Sequence, residues 1–148
     1  AFSDLVEEFR SGSRTPREYV ESCIEAIEGR EPIVKAFTCH DIEQARKQAD
    51  ASTRRYAEGR PLSPIDGMPI GIKDIIDTRD MPTERNSDIF SAHYPMTEAA
   101  CVRAIKQGGA FPLGKTVTTE FAIGRSGPTV NPHNPEHTPG GSSSGSAR

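Results

Sequence analysis

Residues 124–148 constrain this chain more than any other stretch. Between Gly124 and Arg148 the apolar residues shrink to Val130 and Ala147, while Pro128, Pro132, Pro135 and Pro139 recur at short intervals. Proline removes a backbone donor and fixes φ, so neither a long helix nor an interior strand fits here. A compact domain rarely tolerates about 25 residues without secondary structure unless they carry function or are disordered. The stretch ends in Pro139-Gly140-Gly141-Ser142-Ser143-Ser144-Gly145-Ser146-Ala147-Arg148, the densest run of hydroxyls and glycines in the chain. Composition alone reads such a run as a flexible linker. The other reading makes it one half of a site, with a distant partner elsewhere in the sequence.

The rest of the chain alternates helical and extended patterns. Ser3 is expected to cap a short helix with Leu5, Val6 and Phe9 on its apolar side, broken at Gly12. Thr15-Pro16-Arg17-Glu18 forms a capping box with proline at the first helical position. The helix that follows carries Tyr19, Val20, Cys23, Ile24 and Ile27 on one face and is expected to end at Gly29. Val34 to Cys39 reads as a short strand. Asp41 caps a long helix with Ile42, Ala45, Ala49 and Tyr56 on one side, closing at Gly59. A loop from Arg60 to Met68 leads into Pro69-Ile70-Gly71-Ile72-Lys73-Asp74-Ile75-Ile76, a strand by its apolar content. Thr97 is expected to cap a helix bearing Ala100, Cys101, Ala104 and Ile105, closed by Gly108-Gly109. Ala110 to Val117 reads as another strand, and Thr118 to Ile123 as a helical turn. This order predicts an α/β protein with a mixed sheet flanked by helices.

At 148 residues there is room for one domain. It divides into a helical lead-in over 1–60, a strand and helix core over 61–123, and the loop of 124–148. A net charge of −3 leaves no basic footprint, so no nucleic-acid partner is expected. No apolar run reaches the roughly 18 residues needed to span a bilayer, and no signal peptide is evident at the start. Cys23, Cys39 and Cys101 are an odd set at wide spacing, read as small buried side chains in a reducing, cytoplasmic compartment.

Two motif matches in the Gly/Ser run fail on their surroundings. Gly140 to Gly145 has the glycine spacing of a phosphate loop, but Ser146-Ala147 stand where Lys-Ser/Thr are required. Gly141 to Gly145 fits G-x-S-x-G, but Asn134-Pro135-Glu136-His137-Thr138-Pro139 cannot be the strand that a nucleophile elbow needs. His133 and His137 are four apart, yet Pro135 breaks the helix that would align them on a metal. Lys73 is different. With a period of two it shares a face with Pro69, Gly71 and Ile75, a small and apolar surrounding with glycine leaving space beside it. Such a setting disfavours the ammonium form and makes an amine available as a general base. A base of this kind needs a hydroxyl partner, and the hydroxyl cluster of the chain is Ser142 to Ser146.

Gly71-Ile72-Lys73-Asp74, Leu113-Gly114-Lys115-Thr116, Thr119-Glu120-Phe121-Ala122, Gly127-Pro128-Thr129, Asn131-Pro132 and Pro139-Gly140-Gly141-Ser142-Ser143 follow one another as they do in the amidase signature family. The Gly67-Met68-Pro69-Ile70 lead-in and the N-terminal helices also resemble that family, so nearly the whole chain is covered. The resemblance implies the N-terminal part of the amidase signature fold, incomplete as it stands, and a Ser–cis-Ser–Lys hydrolase that needs no metal or cofactor. It implies Lys73 as base and Ser142 as the relay on an unusual cis peptide, with Ser143 as a supporting hydrogen-bond donor. The nucleophile of the family lies in a second Gly-Gly-Ser segment further along, which also forms the oxyanion hole. This chain reaches Arg148 before any such segment, so the nucleophile is expected to be absent from it and the isolated chain to be inactive. Ser144 departs from the family, which usually has glycine there. Because serine tolerates positive φ poorly, the turn is expected to differ.

The resemblance leaves the substrate open between a small linear amide and glutamine. In the second case the chain would be the A-type subunit of an amidotransferase that releases ammonia. A non-catalytic assembly module is the reading from another class. Of the two amide readings a free-standing amidase on a small amide is preferred, with a homodimer as the candidate assembly, since the basic residues are dispersed and nothing reads an RNA.

Overall fold

The computed structural model describes residues 2–147; Ala1 and Arg148, the latter closing the Gly/Ser run, lie outside the described residues. The elements in order are α1 (Phe2–Ser11), α2 (Pro16–Val34), β1 (Phe37–His40), α3 (Ile42–Ala57), β2 (Pro69–Lys73), α4 (Ala100–Gln107) and β3 (Phe111–Thr116). Two single turns of 3-10 helix cover Asp88–Phe90 and Glu120–Ala122. The strands form a small mixed sheet in the order β1-β3-β2, with β1 antiparallel to β3. Helices on a mixed sheet are the α/β arrangement expected from the pattern.

The described residues fall into two compact units. The first comprises residues up to 26, 41–70 and 100–113. Its core is Val6, Phe9, Val20, Ile24, Ala45, Ala49, Tyr56 and Val102. Phe9 and Tyr56 meet edge to face at 5.4 Å between ring centroids. The capping box forms: the Thr15 N–H donates to the Glu18 carboxylate at 2.7 Å, and the Glu18 N–H donates to Thr15 Oγ1 at 3.2 Å. Asp41 caps α3 by accepting from the Gln44 N–H at 2.9 Å. Asp66, fully buried, accepts from the Ser52 hydroxyl, the Leu62 N–H and the Arg55 guanidinium.

The second unit comprises residues 27–40, 71–99 and 114–147. It holds the long proline-rich loop. That loop has almost no regular structure, as expected, but it is pinned by hydrogen bonds. The Val130 N–H donates to Val34 O at 3.1 Å and Thr129 Oγ1 donates to Lys35 O at 2.6 Å. These bonds satisfy carbonyls at the end of α2, which would otherwise lack partners.

Several boundaries differ from expectation. Ser3 lies inside α1 rather than capping it. α2 runs through Gly29 and Pro32 to Val34. The extra turns bury Val34, and Glu31 clasps the end, its carbonyl accepting from Lys35 N–H and its carboxylate from Phe37 N–H. Lys35, at φ 52°, ends the helix in place of a glycine. Thr97 does not cap α4, which begins at Ala100; its buried residue is Val102, whereas Cys101 and Ala104 are exposed. Cys23 and Cys39 are half-buried and Cys101 is exposed, so none is the fully buried thiol expected. No described helix is long and apolar enough to cross a membrane.

Candidate active site

β2 ends at Lys73, and its burial alternates less cleanly than the sequence suggests. Ile72 is buried and Gly71 is exposed. Lys73 is half-buried rather than enclosed by apolar groups, and Ile75, expected on its side of the strand, lies past the strand's end and is exposed. Nor does Gly71 leave space for the lysine. A Cβ there would sit 2.7 Å from the Thr116 methyl, so the missing side chain admits β3 instead.

What the sequence did anticipate is the meeting of Lys73 with the Gly/Ser run. Lys73 Nζ donates to Ser142 Oγ at 2.6 Å, across 69 positions of sequence. The Gly141–Ser142 peptide bond is cis. The run itself is seated by backbone bonds. The Thr119 N–H donates to Ser142 O, the Gly145 N–H to Val117 O, and the Ser146 and Ala147 N–H groups to Ser143 O. Thr116 and Ser146 share a hydroxyl–hydroxyl bond of 3.0 Å. Gly145 lies so close to the residues adjoining β1 and β3 that a Cβ would overlap Ala36 O and fall 2.6 Å from the Val117 nitrogen. The run is therefore packed chain, not a linker.

Ser142 and Ser143 are half-buried and Ser144 is buried. Ser144 does not require a positive φ, which explains why serine fits where glycine was expected; the left-handed glycine of this turn is Gly140, at φ 87°. His133 and His137 are both exposed on the loop. Among the described residues no group of three or more His, Cys, Asp or Glu side chains is arranged to hold a metal.

One feature of the site was missed at the level of sequence. Lys115, in the fully buried strand β3, has no exposed surface, and neither does Asp74. Lys115 Nζ lies 3.4 Å from Asp74 Oδ1. It donates to Ile76 O at 2.9 Å, Pro82 O at 3.2 Å and Thr83 Oγ1 at 2.6 Å. Asp74 in turn accepts from the N–H groups of Glu84 and Arg85. Burial pushes the Asp74 carboxyl up and the Lys115 amine down, with their mutual attraction opposing both shifts. The signal was available: a lysine in the middle of Phe111-Pro112-Leu113-Gly114-Lys115-Thr116, beside an aspartate closing another apolar strand.

A mixed sheet flanked by helices, with a lysine amine bonded to a serine hydroxyl at its edge, defines the class of the chain as α/β. The chain belongs to the amidase signature family: the family described as Amidase matches residues 18–148. It is 38% identical to the A-type subunit of the glutamyl-tRNA(Gln) amidotransferase of Synechococcus sp. (strain WH7803), over 99% of this chain and 31% of that protein. Among solved structures, the peptide amidase of Stenotrophomonas maltophilia superposes with a TM-score of 0.89 at 28% identity, over 98% of this chain and 32% of its own. A protein from a vestigial complex that reveals the evolutionary origins of an s-triazine catabolic enzyme gives 0.88 at 35% identity, over 97% and 33%. The chain thus spans about a third of the length of the proteins it matches.

Proposed function

We propose that residues 1–148 supply the base and the relay of a Ser–cis-Ser–Lys amidase whose nucleophile and oxyanion hole come from sequence beyond them. The observation that carries this reading is the 2.6 Å contact between Lys73 Nζ and Ser142 Oγ. In its neutral form the Lys73 amine accepts the Ser142 proton, and Ser142 takes one from the nucleophilic serine. That serine attacks the amide carbonyl, the proton returns through Ser142 to the leaving amine, and water clears the acyl-enzyme. Ser143 is the proposed supporting hydrogen-bond donor, and its carbonyl accepts from the Ser146 and Ala147 N–H groups that hold the turn.

A small linear amide is the proposed substrate, and a homodimer the proposed assembly. The name of the Synechococcus relative favours a second reading, an amidotransferase subunit that releases ammonia from glutamine. The two separate by assay of the full-length protein. Ammonia release from short carboxamides at rates well above that from glutamine supports the amidase, and glutamine hydrolysis alone supports the amidotransferase reading.

The catalytic roles are tested by Lys73→Ala and Ser142→Ala in the full-length protein. Each is expected to lower kcat by about 10² to 10⁴. A variant with parental kcat refutes the role of that residue. The 148-residue chain alone is expected to resist a serine-directed fluorophosphonate; stoichiometric labelling would place the nucleophile within it and overturn the proposal.

A further inference from the structure

Lys73 and Asp74 are neighbours in sequence, so at the end of a strand their side chains leave opposite faces. Lys73 reaches Ser142 on one face, while Asp74 reaches Lys115 on the other. β3 repeats the division: Lys115 turns to Asp74, and the next residue, Thr116, turns to Ser146 of the Gly/Ser run. The backbone joins the two strands at the same level, the Asp74 N–H donating to Thr116 O at 2.9 Å. Immediately after, the chain leaves the sheet, with the Ile75 and Ile76 N–H groups both returning to Lys73 O.

Nothing regular in the described residues continues β2 past Lys73, so the direction of that residue depends on what holds the turn behind it. Lys115 holds it. Its ammonium donates to Ile76, Thr78, Pro82 and Thr83, and its charge faces Asp74. Asp74 then fixes residues 84 and 85 through their N–H groups. A buried ion pair is a poor way to gain stability, because desolvation offsets the attraction and apolar replacements often do as well. Here charging either partner is harder in the folded chain than in the open one. Its use is geometric.

We propose that the buried Lys115–Asp74 pair is a positioning device that fixes the end of β2 so that the Lys73 amine meets Ser142. Neither residue touches substrate; both act through Lys73. The proposal rests on the reading of Lys73 as the base.

The test uses the full-length protein and a fluorophosphonate probe, with kinact and KI measured separately. The Asp74→Asn/Lys115→Met double variant removes both charges and leaves no unpaired ion in the core. It is expected to lower kinact about 10²-fold, the cost of a misplacement near 1 Å, with KI unchanged. In a Lys73→Ala background the same two substitutions are expected to change kinact less than about twofold, because groups that act through one residue are not additive. A folded double variant with parental kinact overturns the proposal. So does an equal loss in the Lys73→Ala background, which would mark general damage. Parental labelling by Lys73→Ala itself sinks the base reading instead, and the positioning role with it. Should the double variant not fold, Thr83→Val decides. It removes one acceptor of Lys115 and is expected to lower kinact about fivefold, the worth of one hydrogen bond; no change overturns the proposal.

Discussion

Gly145→Ala is the smallest perturbation that separates a packed Gly/Ser run from a tail. The new methyl would overlap Ala36 O and lie 2.6 Å from the Val117 nitrogen, where real Cβ contacts essentially never fall below 3.0 Å. Both neighbours are 1% exposed and cannot retreat into solvent. The run itself must therefore back away by about 1 Å, a distance at which overpacking costs about 1–3 kcal/mol. That movement strains the bond from Gly145 N–H to Val117 O. Its loss adds about 1 kcal/mol. A total of about 2–4 kcal/mol lowers Tm by about 10 °C in a chain of this size. Gly145 stands three residues from Ser142, so the same retreat disturbs the 2.6 Å contact with Lys73. Catalysis in the full-length protein is expected to fall about 10²-fold. Thermal melts and fluorophosphonate kinetics read the two effects. Parental Tm and parental rate together would refute the claim that close packing at Gly145 seats the run.

Asp66→Asn is expected to destabilise the chain by about 2 kcal/mol at pH 7, since it leaves the Arg55 guanidinium without its carboxylate. Burial alone would raise the Asp66 carboxyl, but Arg55, the Leu62 N–H and the Ser52 hydroxyl outweigh it and hold it below its ordinary 3.8. Its contribution is therefore complete above about pH 4 and lost as pH falls through the depressed value. The Tm gap between parent and variant should narrow toward about pH 3, and a gap that widens would reverse the assignment. Thr15→Ala removes the cap of α2 and is expected to cost about 1 kcal/mol, read as the shift in urea midpoint. Thr116→Val keeps the methyl against Gly71 but breaks the bond to Ser146, and is expected to cost about 1 kcal/mol or less by the same measurement.

Much of the fold was legible because its local signals agree. The capping box at Thr15 to Glu18, the Asp41 cap and the small-residue face of α3 each specify their element without help from distant residues. The errors fall where a distant partner overrides a local signal. Gly29 does not stop α2, because Val34 is buried further on and residues 129 and 130 satisfy the carbonyls at its end. On α4 the small residues gave the wrong face, since the helix turns Val102 fully inward and leaves Cys101 and Ala104 outside.

For the candidate site, the sequence alone determined which residues are chemically able to act: a strand lysine, and a hydroxyl run held by glycine and proline. Family motifs then paired them. It also showed that residues 124–148 could form no regular element, because their prolines and missing apolar positions forbid it. Tertiary structure decided the rest. Lys73 is half-buried beside a hydroxyl rather than enclosed in an apolar pocket, and Gly71 serves the approach of β3 instead of making room for the lysine. The lysine that is buried is Lys115, whose partners span residues 74 to 83. No period in the sequence joins those residues, since hydrogen bonds and ion pairs act through space and their partners are set by how the strands lie side by side.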